Sequence, residues 1–242
     1  MDELLEFSHN LASDHLSIAV HHFFASRQLQ ATQPHPWSWI QARRDALSSI
    51  LHAYSGCDAA VNLIGYSLFF DESSPRFVPP DQRDLPLKRM IQAWHVNLPS
   101  HDKLNYVLGL SKNHLPPRLE TELRELGNLR NWIVHGVGYR SVILVEKRED
   151  GTMLEIDRED SVDWKTKFPA TGFQSPDRID HRDAYTAVHI ALECVKFLAR
   201  QETAIKFWIN PLWNGPGSKT IGADLDVDAY LSGGLTEGSN GP

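Results

Sequence analysis

The stretch "GNLRNWIVHGVGYR", residues 127–140, sets Arg130 and Asn131 side by side, with His135 five residues beyond the arginine and Gly136 directly behind the histidine. Trp132, Ile133 and Val134 fill the interval. An arginine carries a planar, always-charged fork of donors that matches a phosphate. A histidine can take up and return a proton near neutral pH. Of the chain's arginines, only Arg130 is followed five positions on by a histidine. The reading of this stretch decides both fold and chemistry.

Upstream of it the pattern is helical. Apolar residues at mixed three-, four- and seven-residue spacings, among them Leu4, Phe7, Leu11, Ile18 and Phe23, predict a long helix over 3–30. "TQPHPW" interrupts the chain at 32–37. A second helix is expected from Trp37 to Phe70, bent near Gly56, with Ile40, Leu47, Leu51, Tyr54, Val61 and Leu68 on its apolar side. "SSPRFVPPDQRDLP" reads as a loop, because Pro79 and Pro80 remove backbone donors and push their predecessors into extended geometry. Shorter helices follow at about 86–96 and 100–111. Pro116 and Pro117 suit the first turn of the helix that carries the opening stretch.

Downstream the period changes. "SVILVEK" and "TMLEID" are β-rich runs joined by "REDG", which predicts a hairpin at about 141–157. A closing helix is expected from Arg182 to Trp208, with Val188, Ala191, Leu192, Val195, Leu198 and Ile205 apolar. Beyond Pro211 the glycine-rich segment reads as a flexible tail over 211–242.

The bulk numbers exclude several classes. At 242 residues the chain can bury a full core without disulfides or metals. Two cysteines, Cys57 and Cys194, make no disulfide framework, which fits a reducing compartment, and a cytoplasmic location is expected. The acidic opening "MDELLEFSHN" lacks a secretory pattern, and no apolar run is long enough to span a membrane. Net charge is −7, but residues 103–148 hold eight Lys/Arg against four acids, a local excess of +4 around the opening stretch. Such asymmetry can focus an anionic ligand on an acidic protein.

Other signals fail. "GPGSKT" lacks the preceding strand and the glycine-lysine pair of a phosphate loop. "DLDVD" sets Asp224, Asp226 and Asp228 at calcium-loop spacing, but Ala229 and Leu235 stand where glycine and glutamate are needed. His181 with Tyr185 and His189 with Glu193 are each one helical turn apart, and His21–His22 are adjacent, yet nothing reaches metal-ligand spacing. No metal or cofactor is expected.

An arginine and a histidine together suffice to cleave RNA without a metal, using the substrate's own 2′-hydroxyl as nucleophile; DNA lacks that group. "LRNWIVHG", residues 129–136, resembles the RNxxxH motif of the HEPN superfamily, all-α proteins that include many metal-independent ribonucleases of toxin, antiphage and RNA-processing systems. The order of elements over 1–210 is similar as well. The resemblance implies a HEPN-like helical bundle, here with a small hairpin insertion. It further implies an RNA substrate, a homodimer whose two motifs meet in one cleft, and a cognate inhibitor or antitoxin. Arg130, Asn131 and His135 match the motif position by position and carry the implied catalytic role. On an ideal helix residues five apart stand about 140° apart around the axis. Arg130 and His135 therefore share no face of a straight helix. Either the helix ends near His135, where Gly136 permits a turn, or the two stand near a cleft whose second wall is another protomer.

Some toxins of this group carry a tyrosine two residues after the histidine, where a partner nucleotidyltransferase modifies them; here that position is Val137, and Tyr139 lies two further on. Asp58 and Asn62, one turn apart on the second helix, are candidates to orient the site, and Tyr139 is a supporting candidate. Arg124 and Arg140 are candidates for the RNA backbone. Trp132, Ile133 and Val134 read as core or dimer-interface residues. Two other readings stand beside the ribonuclease: a non-catalytic HEPN-like module that holds a nucleotide, RNA or partner, and a structural helical protein.

Overall fold

The computed structural model describes residues 10–32, 36–94, 98–110, 113–136, 141–201, 205–210 and 216–233. Two long helices, α1 (Leu11–Thr32) and α2 (Pro36–Phe69), form an antiparallel hairpin. Cross-helix bonds fall in opposed order: Ser49 Oγ donates to the Ala19 carbonyl and Ser26 Oγ to the Ala42 carbonyl. The seam is made of small residues. Ala12, Ala19, Ala42, Ala46, Ala53 and Ala60 are fully buried. A Cβ on Gly56 would stand 2.8 Å from the Leu16 side chain, so glycine is what allows this approach. The apolar side expected for the second helix is therefore rotated. Ile40 is exposed, Leu47, Leu51 and Tyr54 are half-buried, and the buried face runs through Ile50, Cys57, Val61, Ile64 and Leu68. Alanine and serine count little in an apolar pattern, but they define the closest contact.

α1 begins at Leu11, where the Asn10 carboxamide accepts the Ser13 N–H at 3.3 Å. Residues 3–9 of the helix expected there lie outside the described residues. A short 3-10 turn (Pro80–Gln82), α3 (Leu85–Ala93) and α4 (Ser100–Leu110) follow. Asp84 caps α3 by accepting the Leu87 N–H at 2.8 Å. α5 (Pro117–His135) starts with Pro117 in its first turn and ends at Gly136, φ 58° and ψ 34°, the left-handed cap that glycine adopts without steric cost. Leu123, Leu126 and Leu129 bury its inner face, and Glu125 accepts the Ala170 and Thr171 N–H groups at 3.1 and 2.9 Å.

The expected hairpin is present as β1 (Ser141–Lys147) against β2 (Met153–Asp160), antiparallel, with Gly151 at φ 83° in the turn. A single short turn of helix, α6 (Val162–Lys165), leads toward α7 (His181–Gln201), whose buried Ala184, Ala187, Val188, Ala191, Leu192, Val195 and Leu198 pack against α1, α2 and α5. Asp180 and Asp183 cap α7 reciprocally: Asp180 Oδ1 accepts the Arg182 N–H at 2.7 Å, and Asp183 Oδ2 accepts the Asp180 N–H at 3.0 Å. The architecture is predominantly α-helical.

Two expectations about the C-terminal part are corrected. The closing helix ends at Gln201 rather than near Trp208, and Phe207–Ile209 form a strand, β3, with Phe207 and Ile209 buried and Trp208 outward. The glycine-rich segment is not a free tail over its described part. Lys219–Ile221 form β4, antiparallel to β3, and Val227–Ser232 form α8, capped by Asp226. Ile221, Leu225, Val227, Tyr230 and Leu231 join the core. Composition concealed them: a few well-spaced apolar residues suffice to dock a segment that is polar on average. Residues 211–215 and 234–242 lie outside the described residues. Among the described residues no helix is long and apolar enough to cross a membrane.

Truncation after Asn210 should lower the melting temperature, and Leu231→Ala should cost about 2–5 kcal/mol in urea unfolding. An unchanged melting temperature on truncation would show that the segment does not dock. At Gly65, whose missing Cβ leaves room for the Trp94 ring, alanine should cost about 1–3 kcal/mol by overpacking.

Candidate functional site

α5 approaches α2 closely at Gly127, where an added Cβ would stand 3.0 Å from the Tyr54 ring. One turn on, Arg130 places its guanidinium over that ring, 5.8 Å from the centroid. Its Nη1 donates to the Asn131 side-chain oxygen at 3.0 Å. Among the described residues no carboxylate pairs with Arg130. Arg130 lines a cleft of about 460 Å³ together with Tyr54, Asp58, Asn62 and Tyr66 of α2 and His15 of α1. The size is that of a small-molecule pocket, and Tyr66 on its wall is half exposed.

Asp58 and Asn62, one turn apart on α2, both line the Arg130 cleft. Ser100 Oγ bridges Asp58 Oδ1 at 2.6 Å and the Tyr54 hydroxyl at 3.0 Å. Asn62 donates to Asp58 at 3.1 Å and accepts from Lys103 Nζ at 3.0 Å. Lys103, itself buried, reaches Asp58 at 3.8 Å. The floor of the cleft is a satisfied polar network, and that leaves the guanidinium as the donor group without an ionic partner.

His135 is elsewhere. It is the last residue of α5, exposed, and does not line the cleft. Among the described residues it has no hydrogen-bond partner. Both residues sit within one continuous helix, so the five-residue spacing turns them about 140° apart. Of the intervening residues, Trp132 meets Trp164 edge-to-face at 5.2 Å and lies beneath Lys167 Nζ at 4.4 Å, Ile133 packs on the core, and Val134 is exposed. Arg124 is exposed on α5 and does not line the cleft. Tyr139, Arg140 and Val137 lie outside the described residues. Of the described residues of the basic segment, Lys103 is buried and Arg118 pairs with Glu122 at 2.7 Å.

Sequence spacing did not reveal the histidines that the α1–α2 hairpin gathers. His15 Nδ1 and His52 Nδ1 are hydrogen-bonded at 2.9 Å, His52 stacks near His22 with ring centres 6.4 Å apart, and His22 Nδ1 meets Asp45 Oδ1 at 2.8 Å. Only the antiparallel pairing of positions 15 and 52 could have disclosed this. Burial, then the neighbouring His15 and His22, lower the His52 pKa from its usual 6.5. His189 and Glu193 do not act as a ligand pair: His189 pairs with Asp228 at 3.3 Å and Glu193 with Lys196 at 3.0 Å. His181 bonds to Gln30. Among the described residues no group of three or more His, Cys, Asp or Glu is arranged to hold a metal ion.

Comparison with protein-family models, with curated proteins and with solved structures gave no match.

The lowered pKa values of His52 and His181, each chiefly from burial, have a consequence for stability. Between the folded and unfolded pKa values the unfolded chain binds more protons, so this stability is present above the unfolded value and lost as pH falls through the folded one. The urea midpoint should drop on acidification from about pH 7 to about pH 5, where histidine charges. His52→Gln should flatten that slope, and an unaltered slope in the variant would dissociate His52 from it.

Proposed function

We propose that the chain is a HEPN-like, metal-independent endoribonuclease that acts as a homodimer, in a toxin, defence or RNA-processing role. What carries this reading is the setting of the RNxxxH motif at the end of α5. Arg130 opens, without a carboxylate partner among the described residues, on a cleft lined by tyrosines and amides, while His135 stands exposed beside the glycine cap. Arg130 would stabilise charge on the scissile phosphate, and Asn131, which accepts from Arg130, would orient it. His135 would transfer a proton. The 2′-hydroxyl of the substrate attacks phosphorus, the P–O5′ bond breaks, and the products are a 2′,3′-cyclic phosphate and a 5′-hydroxyl. Because His135 does not line its own protomer's Arg130 cleft, dimerisation that brings the two motifs together completes the reading. A cognate inhibitor or antitoxin would act by covering that cleft.

A second reading rests on the same separation of Arg130 from His135. A protomer that binds RNA or a nucleotide through Arg130 and the tyrosines, without turnover, is a non-catalytic binding module.

Arg130→Ala and His135→Ala should each lower cleavage of single-stranded RNA by about 10²-fold or more while leaving fold and dimer intact. Activity should survive excess EDTA, and a substrate with 2′-deoxyribose at the cleavage position should bind but not be cut. Cleavage that requires added Mg²⁺ would exclude this mechanism. RNA binding with no cleavage would favour the binding module.

A further inference from the structure

Transesterification of RNA moves two protons, one off the 2′-oxygen and one onto the leaving 5′-oxygen. In an in-line displacement these oxygens lie on opposite sides of phosphorus. The motif's histidine, His135, does not line the Arg130 cleft of its own protomer. The Arg130 cleft, however, already contains another histidine. His15 lines it from α1, and it is half-buried rather than sealed.

We propose that His15 is a second proton-transferring residue of this site, taking the 2′-hydroxyl proton of a ribonucleotide whose phosphate Arg130 holds, with His52 as its positioning residue. The inference rests on the ribonuclease reading and adds to it the group that would activate the nucleophile. His15 Nδ1 and His52 Nδ1 share a hydrogen bond of 2.9 Å; in the tautomer the proposal requires, His15 donates and its Nε2 carries the lone pair. Taking the proton there produces an imidazolium that keeps the same hydrogen bond. No rearrangement of His52 is required. Burial favours neutral His52, which preserves it as an acceptor for the charged partner. The 2′-oxygen then bonds to phosphorus, the electron pair of the broken P–O5′ bond goes to O5′, and His135 of a second protomer protonates it.

The remaining cleft groups are less suited to the task. Asp58 is held by Ser100, Asn62 and Lys103, and the Tyr54 hydroxyl is bonded to Ser100. The ionisable groups facing His15 are His52, Tyr54, Asp58 and Tyr66 of α2 and Arg130 of α5.

The test uses the full chain, a mixed-sequence RNA and its uncleavable 2′-O-methyl counterpart. His15→Gln should lower kcat by about 10²-fold and leave affinity for the 2′-O-methyl RNA unchanged. It should also remove the acidic limb of the pH–rate profile, the signature of a lost base. His52→Gln should keep most of the rate but displace that limb. In the wild-type protein, the His15 ring resonance should shift when 2′-O-methyl RNA is added, and the shift should vanish in Arg130→Ala. Because it uses the wild-type chain, this titration can overturn the proposal even where His15→Gln does not fold. A wild-type rate in His15→Gln, or a His15 resonance unmoved by RNA, would overturn the proposal. If the wild type binds RNA and shifts His15 yet cuts nothing, the ribonuclease reading and the proton-transfer role fail together, and only the phosphate seat survives.

Discussion

The close approach of α1 to α2 is the constraint on which the rest of the molecule depends. A seam of alanines, with serine hydroxyls bonded to the facing backbone and a glycine under Leu16, lets the two helices pack with little side-chain thickness between them. Larger residues would push the axes apart, as interior packing leaves no slack for extra methylenes. With the axes close, His15 reaches His52, and the outer faces of both helices make two walls of one cleft. α7 then covers the apolar side opposite, through its own alanines.

α5 is placed against this hairpin by two kinds of contact. Leucines on its inner face supply the apolar burial, and Glu125 ties the helix to the loop before α7 by accepting two backbone N–H groups. Gly127 brings α5 down onto Tyr54, and so determines that Arg130, one turn later, stands over the Tyr54 ring rather than free in solvent. The glycine cap stops the helix immediately after His135, leaving the imidazole at a helix end.

The polar floor of the cleft has a different task. Lys103 is buried, and without Asp58 and Asn62 it would be an uncompensated charge. The network of Tyr54, Asp58, Asn62, Ser100 and Lys103 satisfies its own donors and acceptors, and so joins α4 to α2 beneath the cleft. The electrostatic character of the opening is then carried by Arg130 and by the histidines.

Much of this was legible in the residues themselves. The proline at the start of α5 and the glycine at its end, the hairpin with its Gly151 turn, the two long helices and the Arg130–His135 pattern are all local, and local chemistry determines them. Three features were not. The buried stripe of α2 runs through small residues that apolar periodicity undercounts. The glycine-rich C-terminal segment docks through a few apolar residues whose partners, β3 and α7, come earlier in the chain. The meeting of His15 with Arg130 joins positions far apart in sequence, and no spacing rule encodes it. The sequence by itself determined which groups able to do chemistry are present and where the helix that carries them stops. Only the tertiary structure decided which of them share a cleft, because helix rotation and axis separation come from packing against other elements.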